Sequence, residues 1–344
     1  MTSMNATSDI LDIYIIRGSF TERFFMGLWS AATSAMALTG NMTVLVASLK
    51  YNAIKLDKIS TILIKNIALA DMGFSFYIMS TFVTIVTDEW VFGDLMCYIT
   101  NYWHMFFGIS EIYLICAFNI SKLHCLIFPL QARVRSPNTG RLVALAMWSV
   151  MPLFYLIPAI LMGRVVTFRH SYYRCEGYFE DPEIKFPFFA SVFFILLPMI
   201  VVCIAIVWLL FYIRGVTGLQ KQSVLTLLLI SSCYFGSYLP YGIYHIIKAT
   251  LPNVESNIAI SIHLYRFALF MLYLNFSINP LIYVFSVKSF KEFLVNFWNL
   301  VTNKTIPFSE NNSKARSKSD RNLSPKITQS ANTTVNFTSV MREI

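Results

Sequence analysis

The sequence predicts an all-α membrane protein, a seven-transmembrane helix bundle with an interfacial amphipathic helix after span seven. Hydrophobic residues make up 56% of the 344 residues and charged residues only 13%, whereas a soluble domain usually carries about 25% charged residues. Seven apolar runs, separated by short polar links, are each long enough to cross a bilayer, which takes about 20 residues. So much apolar surface needs lipid, and we therefore expect a membrane-embedded protein.

The predicted spans fill a membrane domain at residues 24–300. They are expected at residues 24–49, 59–86, 97–122, 141–162, 186–213, 223–249 and 259–285. Residues 1–23 precede this domain and are expected to be an extracellular N-terminus. They lack the basic start and the apolar core of a signal peptide. We therefore expect the first span to act as the targeting segment.

A separate apolar pattern follows the last span at residues 287–299. Its apolar side chains recur at helical spacing, at positions Val287, Phe290, Leu294 and Phe297. The lysines between them, Lys288 and Lys291, would be costly inside lipid. We therefore predict a helix that lies in the membrane interface, the alternative being a frayed end of the seventh span.

The distribution of basic residues predicts the orientation in the membrane. If the N-terminus is outside, 19 of the 27 Lys and Arg residues lie on the cytoplasmic side, as the positive-inside rule requires. Asn5 begins an Asn-Ala-Thr glycosylation sequon, which fits an extracellular N-terminus. We therefore expect a multi-pass plasma-membrane protein with a cytoplasmic C-terminus.

The C-terminal segment, residues 301–344, has the composition of a disordered tail. It has few large apolar side chains and contains thirteen Ser and Thr residues. Their hydroxyl groups lie near basic residues and could accept phosphate, which adds charge and can recruit a partner protein. A passive tail has the same composition, so both readings stay open.

Two of the six cysteines are predicted to pair. Cys97 lies at the outer end of span three and Cys175 in the loop between spans four and five, so both face an oxidising compartment. A bridge between them would tie that loop over the mouth of the bundle. The remaining cysteines fall inside spans or at the reducing cytoplasmic boundary: Cys116, Cys125, Cys203 and Cys233.

Polar residues inside the spans are the candidate functional residues, because burying them in lipid is costly. Asp71 and Glu111 stand out, since two carboxylates near the bilayer centre cannot both stay ionised without a cation or a shared proton. We expect a sodium ion or a proton between them, hydrogen bonded with Asn275 and Asn279; the alternative is two separately satisfied groups with Glu111 protonated. We expect no other cofactor or metal. Span three carries four polar residues on one helix face: Asn101, His104, Glu111 and Lys122.

Prolines interrupt the last three spans. Each removes one intrahelical hydrogen bond and kinks its helix. A kink beside a polar core allows a helix to settle in two arrangements, which is the bistable element that a transmembrane switch requires. The three positions are Pro198, Pro240 and Pro280.

With these prolines, the markers of the individual spans resemble the rhodopsin-like (class A) G-protein-coupled receptors. The matching residues are Gly40-Asn41, Leu69-Ala70-Asp71, Trp90 and Gly93 before Cys97, Trp148 and Pro158, Pro198, Pro240, and the run Asn279 to Tyr283 followed by Phe290. The resemblance covers residues 24–300. It implies an extracellular ligand and a heterotrimeric G protein, with arrestin and a receptor kinase as further partners through the tail. The short inner loop at 214–222 is similar to that of melatonin-type receptors.

The cytoplasmic half departs from the family pattern. Where the family usually has Asp-Arg-Tyr, this chain has Ser121-Lys122-Leu123. Lys122 keeps the charge but lacks the planar fork of arginine, and Ser121 cannot form the neighbouring ion pair. The departure predicts either raised basal signalling or weakened coupling. The resemblance places the activation switch at Ser121, Lys122, Tyr238, Pro240, Asn279, Pro280 and Tyr283.

The resemblance also implies a ligand pocket in the outer half of the bundle. His104 stands where amine receptors have an aspartate and Tyr273 where opsins have their lysine, so neither a biogenic amine nor retinal is expected. A peptide, a small neutral molecule and a lipid stay open. The expected lining is aromatic and hydrogen-bonding with little fixed charge: Asn101, His104, Met105, Tyr241, His245, Tyr265, Arg266 and Tyr273.

The predicted function is therefore ligand-dependent activation of a G protein by rearrangement of the helix bundle. One alternative is a seven-helix binding or scavenger receptor that does not couple. Another is an ion or solute transporter that uses Asp71 and Glu111, although the internal repeat typical of transporters is not visible. We expect no enzyme, since the sequence shows neither a metal-ligand spacing nor a nucleophile elbow, and we expect no nucleic-acid partner.

Overall fold

Seven helices of the computed structural model are long and apolar enough to cross a membrane, which confirms the predicted bundle. The structure describes residues 17–51, 54, 56–181, 186–212, 219–250 and 258–302, so Asn5 and most of the predicted tail lie outside the described residues. Spans 1 to 4 are the helices Phe20–Lys50, Lys58–Thr87, Gly93–Ile127 and Pro137–Leu161. Span 5 covers Phe186–Phe211, and spans 6 and 7 are Leu219–Thr250 and Ile258–Ser286.

Polar capping turns extend several spans beyond their apolar runs. Span 1 begins at Phe20, where the Ser19 side chain accepts a hydrogen bond from the Glu22 backbone N–H over 3.1 Å. The Asp57 side chain caps span 2 in the same way, at 3.0 Å from the Ser60 nitrogen. Hydropathy marks only the part of a helix that lipid surrounds, so the predicted spans are shorter than the helices in every case except span 5.

Span 5 is not a continuous α-helix. Its first turns, Phe186–Ser191, are α-helical, the turn Val192–Leu196 is a π-helix, and the α-helix Leu197–Tyr212 follows. Pro198 lies at the second position of this last segment, directly after the π turn. A π turn is one of the recognised causes of a local break in a helix, so the predicted disturbance at Pro198 is observed as a changed hydrogen-bond pattern.

The link between spans 4 and 5 forms a β-hairpin, which the all-α prediction missed. Strand β1, Val165–Arg169, pairs antiparallel with strand β2, Arg174–Tyr178, with Val165 opposite Tyr178. The predicted disulfide between Cys97 and Cys175 joins β2 to span 3. We call the end of the bundle that carries this hairpin the hairpin end.

Within the described residues, two further helices lie outside the seven spans. A short helix, Pro129–Val134, follows span 3, and the helix Lys288–Val301 follows span 7. The second confirms the helix predicted at 287–299, while its place in a membrane interface stays a prediction. The chain divides into two units, residues 1–295 and 296–344; of the second, residues 296–302 are described.

Spans 1 and 7 approach each other closely at a glycine. A Cβ atom added to Gly40 would lie 2.8 Å from Cγ of Pro280, nearer than real Cβ contacts come. The neighbouring aromatic rings also stack between helices, Trp29 on Phe270 at a centroid distance of 3.9 Å. Glycine therefore lets span 1 rest against the proline ring of span 7.

We predict that Gly40→Ala destabilises the protein by about 1–3 kcal/mol, because the rigid Pro280 ring cannot move away from the added methyl group. The matched control is Gly236→Ala in span 6, where an added Cβ atom meets nothing within 4 Å. Alanine there should gain up to about 1 kcal/mol of helix propensity. Thermal unfolding of the purified protein in detergent measures both, and equal midpoints for the two variants would contradict the close contact.

Candidate functional site

The four residues predicted to form a sodium or proton site come together at the centre of the bundle. Asn279 donates a hydrogen bond through Nδ2 to Oδ2 of Asp71 over 2.9 Å. Asn275, one helical turn earlier, donates through Nδ2 to Oε1 of Glu111 over 2.6 Å. All four side chains are buried. Span 7 thus supplies one amide donor to each carboxylate.

Glu111 has a second donor in span 6. The Tyr238 hydroxyl donates to Oε2 of Glu111 over 2.8 Å, so both carboxylate oxygens of Glu111 are hydrogen bonded. Oδ1 of Asp71 is buried and has no hydrogen-bond partner among the described residues. The geometry therefore provides separate partners for the two carboxylates, and it leaves one buried oxygen where a proton or a cation would be accepted.

Asn41 supplies a hydrogen bond that Pro280 removes from the backbone of span 7. Because proline has no N–H, Pro280 cannot donate to the carbonyl of Phe276, its normal partner in an α-helix. The side chain of Asn41 takes that place, donating through Nδ2 to the Phe276 carbonyl oxygen over 3.0 Å. Asn41 is fully buried in span 1, so the Gly40-Asn41 pair both permits the close approach of span 7 and satisfies its interrupted backbone.

At the end of the bundle opposite the hairpin, Lys122 is buried but paired. Its side chain is 4% exposed, and its Nζ lies 2.7 Å from Oδ1 of Asp57, the cap of span 2. Burial acts to raise the pKa of Asp57, but the Lys122 ammonium and the Ser60 N–H outweigh it and the pKa is lowered. The carboxylate partner that Ser121 cannot provide therefore comes from another helix.

Sequence reasoning missed Asp57 as a partner of Lys122. The available signal was its position, an acidic residue directly before an apolar run, which is typical of a helix cap. Its distance in sequence from Lys122 gave no reason to pair the two. Ser121, next to Lys122, is buried and its hydroxyl has no hydrogen-bond partner among the described residues. The Tyr283 hydroxyl is also buried without a hydrogen-bond partner among the described residues.

The hairpin end encloses a cavity of about 550 Å³. Four of the eight predicted lining residues line it: His104, Met105, Tyr241 and His245. Its inner wall is apolar and aromatic and includes Phe74, Leu272 and Tyr238. Because Tyr238 also donates to Glu111, the cavity and the polar centre share this side chain.

The other four predicted residues support the walls of the hairpin end and do not line the cavity. Asn101 donates to the carbonyl of Cys175 over 3.1 Å and so holds β2. Arg266 pairs with Glu22 at 2.8 Å, and its Nε donates to the carbonyl of Ser171 over 3.0 Å. The remaining two contact a neighbouring ring or bond across helices: Tyr265, whose ring lies 4.3 Å from that of Tyr172 at an angle of 58°, and Tyr273, which donates to Thr81.

The prediction that this lining carries little fixed charge was wrong. Five charged side chains line the cavity: Arg164, Arg174, Glu176, Asp181 and Lys248. Four of them belong to the segment between spans 4 and 5, whose structure was not predicted. The cysteine bridge was the available signal, because it fixes the residues next to Cys175 against span 3.

Similarity to known proteins points to one family of membrane receptors. The family model described as 7 transmembrane receptor (rhodopsin family) matches residues 40–283. Somatostatin receptor type 2 of mouse (Mus musculus) is 19% identical over 316 residues, which cover 88% of this chain and 83% of that receptor. The pig (Sus scrofa) receptor of the same type matches with the same identity and coverage.

We predict that Tyr238→Phe lowers the free energy of unfolding by about 1–3 kcal/mol, because it leaves a buried carboxylate oxygen of Glu111 without its donor. The matched control is Tyr113→Phe, which removes a more exposed hydrogen bond to the Phe193 carbonyl and should cost about 0.5–1.5 kcal/mol. Thermal unfolding in detergent measures both variants.

The same pair allows a double-mutant test. If Tyr238 and Glu111 interact directly, Tyr238→Phe should cost less in a Glu111→Met background, which has no oxygen to accept the hydrogen bond, than in the native one, a coupling of about 0.5–3 kcal/mol. Strict additivity of the two substitutions would show that this hydrogen bond contributes nothing to stability.

Proposed function

The chain belongs to the rhodopsin family of seven-transmembrane receptors, and from this premise we propose that it binds a ligand in the cavity and activates a heterotrimeric G protein at the opposite end. One observation carries the proposal. Tyr238 lines the cavity and donates a hydrogen bond to Glu111 in the polar centre. A ligand that displaces this ring therefore disturbs the bonds that hold spans 3, 6 and 7 together.

The buried hydrogen bonds supply a route from that ring to span 7. Glu111 accepts a hydrogen bond from Asn275 in span 7. One turn further along span 7, Asn279, which directly precedes Pro280, donates a hydrogen bond to Asp71. A helix that lacks a backbone bond at a proline can settle in two arrangements. We propose Pro240, Pro280 and Tyr283 as further parts of this switch, with a proton or a sodium ion as the counter-charge of the two carboxylates.

The ion pair between Lys122 and Asp57 supports an inactive arrangement at the other end. A buried ammonium group that loses its partner is strongly destabilised, so the pair favours whichever arrangement keeps spans 2 and 3 in contact. Raised basal signalling was one expectation from Ser121. That expectation took no account of the ion pair with Asp57, which restrains Lys122. We propose that activation requires this ion pair to open.

We further propose that the hairpin end faces the outside of the plasma membrane and that the C-terminus is cytoplasmic. The disulfide at the hairpin end supports this orientation, because such bridges form in oxidising compartments. The same orientation would expose the hydroxyls of the tail to a receptor kinase and arrestin. The sequon at Asn5 would then be accessible for glycosylation.

A second candidate is a receptor that binds a ligand without coupling to a G protein. One observation favours it, because the Lys122 ammonium is already engaged by Asp57 and lacks the fork of arginine. Both candidates use the same cavity, and they differ only in what happens at the opposite end of the bundle.

The decisive experiment is recruitment of each class of G-protein α subunit to the full-length chain in cells exposed to pooled peptides and metabolites. Coupling predicts a saturable response that cells without the receptor lack. Saturable binding without recruitment of any α subunit would favour the non-coupling receptor. Ligand-driven ion flux in proteoliposomes would instead favour the transporter.

We predict that Asp57→Asn raises ligand-independent G-protein activation about fivefold or more, the usual lower range of such couplings. Asparagine keeps an oxygen for the Ser60 N–H but removes the charge that pairs with buried Lys122. Nucleotide exchange on the G protein, normalised to receptor at the cell surface, measures the effect.

The control for that variant is Glu292→Gln. It also removes the carboxylate of an ion pair with a lysine, but that pair is exposed and its atoms lie 3.8 Å apart, so it should contribute little. Basal activity that is unchanged in both variants would show that the buried pair does not restrain the switch.

A further inference from the structure

Arg174 is a buried cation in the wall of the cavity. It is the first residue of β2, next to the bridged Cys175, and it is 2% exposed. Its Nη1 donates to the Tyr77 hydroxyl over 2.8 Å, and its guanidinium lies 5.1 Å from the centre of the Tyr265 ring. Nε is buried without a hydrogen-bond partner among the described residues.

The guanidinium has no carboxylate partner in the described part of the chain. Ion pairs form there around Asp57, Asp88, Glu22 and Glu292, and none of these includes Arg174. Glu176 and Asp181 line the same cavity, and Glu176 acts on Arg174 electrostatically, but no ion pair of Arg174 forms among the described residues. Buried charges in proteins are normally paired, because removing them from water is costly. Arg174 therefore has unused donor capacity in a fork that fits a carboxylate.

A hydrogen-bond acceptor lies in the same corner of the cavity. The ring of His104 stacks on Tyr77, with 4.6 Å between centroids. Its Nδ1 lies 3.3 Å from the Thr100 carbonyl oxygen, which can only accept, so Nδ1 carries the proton and Nε2 is an acceptor. This Nε2 is buried, lines the cavity and has no partner among the described residues.

The inner part of the cavity is suited to an apolar group. Its walls there carry large apolar side chains: Phe74, Ile109, Ile112, Phe194, Ile195 and Leu272. The lining also includes two further cations, Arg164 and Lys248, and two carboxylates, Glu176 and Asp181. A volume of about 550 Å³ is within the usual range of about 300–1,000 Å³ for small-ligand sites.

We propose that this cavity binds a ligand with a carboxylate on an apolar body, the carboxylate being held by Arg174. An N–H or O–H group near the carboxylate donates to Nε2 of His104, and the apolar body fills the inner part. The proposal deepens the proposed function and rests on it, since it names the ligand class of the same site. Two sources share this chemistry, a free carboxylic acid and the C-terminus of a peptide.

The test compares acids with their primary amides on the purified full-length receptor. The probes are three acids with a hydroxyl group next to the carboxylate, 2-hydroxyoctanoate, mandelate and indole-3-lactate, and a pool of hydrophobic tripeptides, each with its amide. We expect at least one acid to raise the unfolding temperature and to bind about tenfold or more tightly than its amide, because hydrogen bonds to a charged group are the stronger ones. Stabilisation by the tripeptide acids alone identifies a peptide C-terminus, and stabilisation by the small acids identifies a free acid.

Substitutions of Arg174 test whether this residue causes the preference for the acid over its amide. Arg174→Met should abolish the difference between acid and amide, and Arg174→Lys should keep only part of it, since lysine retains the charge without the fork. Arg169→Met is the matched control, because Arg169 is an exposed residue of the same hairpin that does not line the cavity, although its guanidinium lies over the ring of Tyr178, which does. It should leave the preference intact.

The outcomes separate this inference from the proposed function. Equal stabilisation by acid and amide, or by neither, overturns the carboxylate site, and this comparison on the native receptor does not depend on whether Arg174→Met folds. A neutral or cationic ligand that activates the G protein through this cavity would overturn the inference and leave the proposed function standing. An acid that binds through Arg174 without recruiting any G protein would support the inference and contradict the proposed function.

Discussion

A buried polar group inside this bundle is stabilised when it finds a partner within the protein, because lipid offers no hydrogen bonds. The interruption of span 7 shows how such a partner is supplied. Pro280 leaves the Phe276 carbonyl without its helical donor, and Asn41 donates to it from span 1. The approach is possible because Gly40 has no side chain to meet the proline ring. A missing backbone hydrogen bond thus becomes a contact between two helices.

Features that depend on local chemistry could be predicted from the sequence. Span number follows from the length of apolar runs, and the inward face of span 3 follows from the spacing of Asn101, His104, Glu111 and Lys122, all of which are buried. The bridge between Cys97 and Cys175 follows from which compartment each thiol faces. Asn275 and Asn279 were expected near the two carboxylates, but the one-to-one pairing depends on how far each helix is rotated, which no local pattern encodes.

The parts that were missed depend on contacts distant in sequence. Asp57 lies in the link between the first two predicted spans, and its ion pair with Lys122 arises because spans 2 and 3 bring their ends together. The hairpin was missed for a related reason. Its strands have five residues each, and in β2 the two buried residues, Arg174 and Cys175, are adjacent, so the hairpin lacks the regular alternation of apolar and polar residues that identifies a strand. The bridge and Asn101 hold the hairpin in place, and they turn Arg174 toward the cavity.

Each end of the bundle has a buried cation, but only one of the two cations has a carboxylate partner among the described residues. Lys122 has a carboxylate of the protein at 2.7 Å, whereas Arg174 has an aromatic surround and a single phenolic acceptor among the described residues. A ligand can shift an equilibrium between two arrangements only by binding one of them better than the other. A carboxylate at Arg174 can do this, because its contact with the guanidinium depends on where Tyr77, Tyr265 and the hairpin lie. Tyr238 extends the same cavity wall to Glu111, so a rearrangement around the ligand also changes the hydrogen bonds of spans 3 and 7. Lys122 lies three turns further along span 3 from Glu111. In the proposed mechanism, the helix that receives the disturbance is also the helix whose far end is paired with Asp57, and this shared helix would couple the two ends.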